Sequence, residues 1–385
     1  MVQTKESFKA ELTSASDNLL ERLWKCGLRS KSDIVDILQS NPEGRDTLIE
    51  FLQISGDDLL SMLGLTRFPE HSGALLSLSF GLGALAPQRV MEAVTNIKVA
   101  SLPKYFSLAS KMQPVRNQGN VGTCTAFGTI SVLESQIPNS DFSERFLYYY
   151  TKENDGHPDS EGSYVRVAIS MLAKYGSCLE RSCVYVDDRD ALAKQPEPSA
   201  VREAEKYRPV GRPIAMNPKS VDQFKAQIAG GRGVAFSVPI FNSSKYSLRF
   251  NSEGRFIMRL GLLDKVAGWH AMGAVGFFDN DYLLSEGLEE APGGGIFLVR
   301  NSWGTEWARN NPVANHDGAG SGYALIPYDY IAKYCGEAYT IVAKKNRSLF
   351  PNASATSGWW SNVATSVVSQ SQSRLAEVSE FVRAK

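Results

Sequence analysis

The stretch QPVRNQGNVGTCTAFG, residues 113–128, ends a polar loop on a cysteine, and a thiol in that setting can be a nucleophile. Gly119 and Gly122 punctuate the loop, and the residues from Thr125 to Leu133 suit a helix. A thiol at a helix N-terminus lies at the positive end of the macrodipole, which favours thiolate. The first-turn N–H groups there are ready to receive a developing negative charge. Cys124 is one part of a set. His270, in GWHAM, opens an apolar run 146 residues downstream, and Asn301, in RNSWGTEW, ends another run 177 residues downstream. Thiol attack on a carbonyl needs a base that takes a proton and later returns it to the leaving amine. The base needs an acceptor that fixes its tautomer and ring plane, which an amide oxygen supplies without adding charge.

These motifs together resemble the papain-like (C1) cysteine peptidases over about residues 100–340. LPKYFSLASKMQPVRNQGNVGTCTAFG is similar to the mature N-terminus through the nucleophile, GWHAMGAVGF to the histidine strand, and VRNSWGTEW with GSGYALIPYDY to the asparagine motif and closing strand. The resemblance implies Cys124 as nucleophile, His270 as general base and acid, and Asn301 as the group orienting His270. It implies that Gln118 donates its side-chain amide to the oxyanion beside the Cys124 backbone N–H, and that Trp303 covers the His–Asn hydrogen bond. Glu161-Gly162-Ser163 resembles the glycine stretch that pairs with an extended substrate. Gly162 is the residue expected to pair, with Ser163 one step away in register. Tyr164, Val165 and Ala271 are expected at the side-chain pockets. The chain departs from the pattern at Thr125, where the family has Trp, and at Val121, where secreted members carry a disulfide cysteine. Its N-terminal region shows no sign of the usual inhibitory prosegment helices, and ARNNPVANHDGA, before Gly320, resembles an insertion near the site.

The elements that must position these residues fall into three regions. Residues 1–95 read as a small all-α domain of four short helices. Apolar spacing at Leu19, Leu20, Leu23 and Trp24 stops at Gly27, Ser32 is a candidate N-cap for Ile34 to Leu38, Leu48–Ile54 follows, and Ser55 opens a helix through Leu63. The segment GRDTLIEFLQISGDDLLSMLGL resembles helix-hairpin-helix modules and is read as a regulatory or interaction domain. Residues 100–345 read as α+β, helices first and then strand-length apolar runs at Gly233–Phe241, His270–Phe278, Gly294–Ser302 and Tyr323–Tyr328. The papain-like resemblance implies two subdomains, a helical left half and an antiparallel sheet or barrel on the right. Residues 346–385 read as a linker and a C-terminal amphipathic helix that packs on its own protein or docks a partner.

Lys plus Arg and Asp plus Glu both number 41, so the basic excess of a dedicated nucleic-acid binder is missing. The start lacks an apolar h-region, and the run Ser77–Pro87 is too short and too rich in Gly and Ser for stable membrane insertion. Five cysteines in no repeating pattern argue against a disulfide scaffold and for a reducing, cytoplasmic setting. Four histidines and no C-x-x-C pair give no metal site, and no cofactor is implied. The expected activity is hydrolysis of polypeptides through a Cys124 thioester. Two alternatives share the scaffold: a catalytically weak or inactive adaptor, and a thioester-based acyl transferase.

Overall fold

The computed structural model describes residues 3–12, 14–70, 81–86 and 102–344. The C-terminal helix expected within 346–385 lies outside the described residues. Helix α1 (Lys5–Glu11), not expected from the leucine spacing, precedes α2 (Asp17–Lys25), α3 (Lys31–Ser40), α4 (Gly44–Leu52) and α5 (Gly56–Met62). The side chains of Ser16, Ser30 and Ser55 cap α2, α3 and α5. The cap of α3 is thus Ser30 instead of Ser32, because Asp33 at N3 answers back to the Ser30 backbone N–H and closes a capping box.

Helices α6 (Cys124–Glu134), α7 (Glu144–Lys152) and α8 (Val165–Tyr175) form the helical half around Ile130, Leu133, Leu147, Ile169 and Leu172. The other half is a seven-stranded antiparallel sheet: β1 (Tyr105–Ser107), β2 (Val210–Ala215), β3 (Val234–Phe241), β4 (Val266–Asp279), β5 (Gly295–Arg300), β6 (Tyr323–Pro327) and β7 (Glu337–Val342). The order is β2-β7-β3-β4-β5-β6, with β1 on β4, so the sheet stays open and does not close into a barrel. The four expected runs are β3, β4, β5 and β6; β1, β2 and β7 were not anticipated. Strand β4 is the longest because its two ends have different partners. Val266–Ala274 pairs with β3, Gly276–Phe278 with β1, and β5 runs along the other edge from Gly273 to Asp279.

The five N-terminal helices do not stand apart. Phe8, Leu20, Leu23, Leu48 and Leu59 share one continuous apolar core with Phe236, Phe277 and Phe297 of the sheet. Polar contacts cross the same seam: Met258 N–H donates to the Cys26 carbonyl at 2.9 Å, and Trp24 Nε1 donates to Glu290 at 2.6 Å. Arg249 pairs with Asp33, Glu253 and Glu289 at 3.6, 3.0 and 2.7 Å. No helix among the described residues is long and apolar enough to cross a membrane.

Candidate active site

Helix α6 begins at Cys124 itself, and all of its residues are buried, so it is a central rod between the halves rather than a surface helix. Its approach to the sheet needs glycine. A Cβ on Gly128 would lie 2.9 Å from the Met272 backbone, and one on Gly273 would overlap Ser131. This backbone-to-backbone packing brings β4 alongside the start of the helix, and the Ala271 N–H donates to Cys124 Sγ at 3.4 Å.

His270 precedes that amide on β4. Asn301 follows the last residue of β5, and the Gly273–Arg300 register sets the two strands so that His270 Nε2 and Asn301 Oδ1 meet at 2.7 Å. The Ser302 N–H also donates to Asn301 Oδ1 at 2.8 Å, which identifies that atom as oxygen. An accepting oxygen at Nε2 places the proton there and leaves the lone pair on Nδ1, a buried atom with no hydrogen-bond partner in the protein. Trp303 stacks on the imidazole, ring centroids 4.6 Å apart and planes at 22°.

Gln118 sits at the mouth of the loop that leads into α6. Ser302 Oγ donates to its Oε1, and its Nε2 donates to Val121 O at 2.9 Å and Gly81 O at 2.6 Å. The Gly81 carbonyl thus occupies a donor that would face an oxyanion. It belongs to the segment 81–86, which runs through the site. Ser163 N–H donates to Gly83 O and Leu85 N–H to Ser163 O, both at 2.9 Å, and Ala84 N–H donates to Trp269 O at 3.2 Å. Ala84 pairs with Ser163 in parallel. Segment 81–86 therefore pairs with Ser163, one residue beyond Gly162. Gly162 serves differently: a Cβ on it would overlap the Gly83 carbonyl, and a Cβ on Gly83 would overlap Gly122. Tyr164 is buried with Arg166 4.3 Å above its ring, Val165 N–H donates to Glu337 at 2.9 Å, and Ala271 is buried beside Cys124.

Cys124 and His270 are both 0% exposed, and this burial sets their protonation. It pushes the Cys124 thiol up to about 11, against the N–H groups of Ala271, Gly83 and Thr125 that favour thiolate. It pushes His270 down to about 4, against the Asn301 hydrogen bond. The thiolate expected from the helix terminus is therefore not the state of this form. Desolvation outweighs the dipole, and the pair rests as thiol and neutral imidazole.

Sequence reading missed Ser302, whose backbone carbonyl and hydroxyl both bind Gln118, and the role of Glu161, whose carboxylate accepts the Gly122 N–H at 2.9 Å. Adjacency to Asn301 and Gly162 was the available signal for both. It also missed that 81–86 lies in the cleft, since GLGALA reads as an apolar run without periodicity. The expected insertion carries a helix, Pro312–Asp317, capped by Asn311. All five cysteines are buried and free. Among the described residues no group of three or more His, Cys, Asp or Glu is placed to hold a metal ion.

An open antiparallel sheet against a buried helix that starts at a cysteine, with histidine and asparagine on adjoining strands, defines a papain-like fold. The model of the family described as papain family cysteine protease matches residues 102–317, more than half the chain, and the chain belongs to that family. It is 25% identical over 275 residues to an uncharacterized peptidase C1-like protein of Acanthamoeba polyphaga mimivirus, covering 66% of this chain and 75% of that one. It is 24% identical over 249 residues to papain of Carica papaya, covering 61% of each. Among solved structures, xylellain, a cysteine protease from Xylella fastidiosa, superposes with a TM-score of 0.54 at 24% identity, covering 69% of this chain and 96% of that one.

Proposed function

We propose that this chain is a cysteine peptidase held latent by its own segment 81–86. The observation that carries the reading is the state of His270: Nε2 bound to Asn301, Nδ1 without a partner, one residue before the amide that touches the Cys124 sulfur. In the uncovered enzyme, Nδ1 takes the thiol proton as Cys124 Sγ bonds to the scissile carbonyl carbon. The carbonyl oxygen gains charge and is met by Gln118 Nε2 and the Cys124 N–H. His270 then protonates the leaving amine as the C–N bond breaks, leaving a thioester. Water, deprotonated by the same nitrogen, releases the acid and restores the thiol. Asn301 holds the ring through both transfers, and Trp303 shields their hydrogen bond. Ser163 offers one N–H and one carbonyl to an extended polypeptide.

Segment 81–86 occupies those same groups. Its Gly83 N–H donates to the sulfur, and its Gly81 carbonyl takes the Gln118 donor. Five unbridged, buried cysteines support a reducing, cytoplasmic setting. The test compares hydrolysis of a fluorogenic peptide amide by the full chain and by its Gly83→Glu variant, whose side chain has no room against Gly122. Turnover rising in the variant, and lost again on adding Cys124→Ala, supports the reading. A folded variant that cleaves no member of a peptide library overturns it.

A further inference from the structure

Four consecutive peptide units ahead of α6 are each held by a side chain from outside the loop. Tyr185 donates its hydroxyl to the Gln118 carbonyl at 2.7 Å, which fixes the 118–119 unit. Asp187 Oδ1 accepts from the Asn120 N–H at 3.0 Å and the Val121 N–H at 3.2 Å, which fixes the next two. Glu161 Oε2 accepts from the Gly122 N–H at 2.9 Å, which fixes the 121–122 unit. This stretch has neither helix nor strand of its own, so its amides depend on outside acceptors. Tyr185 also meets Thr123 Oγ1 at 2.8 Å. Its single proton is committed to Gln118, so threonine is the donor there and the tyrosine ties both ends of the loop.

The hold is directional. Gly122 N–H and Val121 C=O share one peptide plane, and that carbonyl accepts one of the two Gln118 Nε2 protons. The second proton points at the cleft acceptor, where Gly81 O now sits. Rotating the 121–122 plane would swing the Gln118 amide away from that point. The anchors are themselves fixed: Tyr185 stands edge-on to Phe127 at 5.0 Å, its N–H donates to Glu180 at 2.7 Å, and Glu161 pairs with Arg189.

We propose that Tyr185, Asp187 and Glu161 are positioning residues that hold the Gln118 amide and the Cys124 N–H on one common point in the cleft. The proposal rests on the peptidase reading and adds a role outside the four residues that would touch substrate atoms. Displacing one oxyanion donor costs about 10²–10³ in rate, so a loosened donor loses a fraction of that, about tenfold or more.

The test uses the full chain carrying Gly83→Glu, with Tyr185→Phe, Asp187→Ala or Asp187→Asn added. Four quantities are read: kcat and KM on a peptide amide, the rate of Cys124 alkylation by iodoacetamide, and hydrogen exchange at the amides of residues 120–122. Alkylation forms a sulfur–carbon bond as iodide leaves and builds no oxyanion, so it does not register where Gln118 points. Tyr185→Phe and Asp187→Ala should lower kcat about tenfold or more while KM and alkylation stay within about twofold. Asp187→Ala should speed exchange at residues 120 and 121, and Asp187→Asn, which keeps an oxygen acceptor, should recover most of the kcat. Unchanged kcat, a parallel fall of kcat and alkylation, or unchanged exchange in Asp187→Ala overturns the proposal. Absence of any turnover in the parent with Gly83→Glu alone would strike the peptidase reading instead, and the exchange rates would still decide whether the loop is held this way.

Discussion

Acid should uncover the cleft, and the depressed basicity of His270 sets the upper limit of the effect. His270 is held at about 4 by burial, against an ordinary value of 6.5. A group whose value is depressed in the covered form stabilises that form fully above its ordinary value, and the contribution is lost as pH falls through the depressed one. The window is therefore pH 6.5 down to 4. About 2.5 pH units correspond to about 3.4 kcal/mol at the acid limit, so by pH 4 the covered form should be disfavoured by up to about two orders of magnitude. That is an upper bound, because part of the burial comes from Trp303 and the sheet rather than from 81–86. Cys124, raised to about 11 from 9.0, carries the opposite sign and weakens the covered form only as pH rises through that alkaline range. The assay is the rate of iodoacetamide alkylation of Cys124 in the full chain divided by the rate in Gly83→Glu, from pH 4 to 7. The ratio cancels the intrinsic dependence of alkylation on thiolate, and circular dichroism at each pH monitors the fold. The ratio should rise toward one as pH falls below 6.5. A flat ratio with the fold intact would show that 81–86 is not what desolvates His270, and the reasoning would fail.

Gln118→Ala in the uncovered chain should lower kcat about 10²–10³-fold with little change in KM, read by steady-state kinetics. Gly128→Val should cost about 1–3 kcal/mol of stability because its side chain meets the Met272 backbone, and the thermal midpoint should fall accordingly. Arg249→Met should destabilise by about 1–3 kcal/mol, since it removes the only side-chain cation paired with Asp33 among the described residues and leaves Glu253 and Glu289 to Arg255 alone, and chemical denaturation will measure it. Replacing Glu289 by Gln in the same background should recover part of that loss.

The candidate set that the fold brings together was legible because each member sits in a local motif: a loop glycine pair before Cys124, an apolar strand after His270, a strand end before Asn301. The helices from α2 to α5 were legible through leucine spacing, and α5 also through its cap Ser55, whereas the cap of α3 is Ser30 and not Ser32. What escaped is what only tertiary structure creates. Strand β2 is exposed along Val210, Gly211 and Arg212 and carries a proline, so its pattern does not alternate. β7 reads EAYTIV with five of six residues buried, which periodicity cannot separate from a buried helix turn. The thiolate is not legible for a related reason: the dipole is a property of α6, readable from sequence, whereas the burial that overrides it is made by β4 and by segment 81–86 together, which only the fold brings to the sulfur.

That last point bears on how the latent form is held. Six residues with two glycines, which pack Leu82 and Ala84 on the apolar cores, cannot bind tightly by apolar burial alone. Their hold comes from backbone hydrogen bonds to Ser163 and Trp269 and from the Gln118 donor, all made without ordering a free peptide, because both flanks are tethered to the same molecule. The N-terminal helices share their core with the sheet, so one end of the tether is fixed to the peptidase body. Loosening that seam at Arg249 should therefore raise Cys124 alkylation in the full chain even where 81–86 is unaltered, while leaving the alkylation rate of Gly83→Glu as it was. If the seam can be weakened without any change in alkylation, the segment holds itself in place and the helices serve stability only.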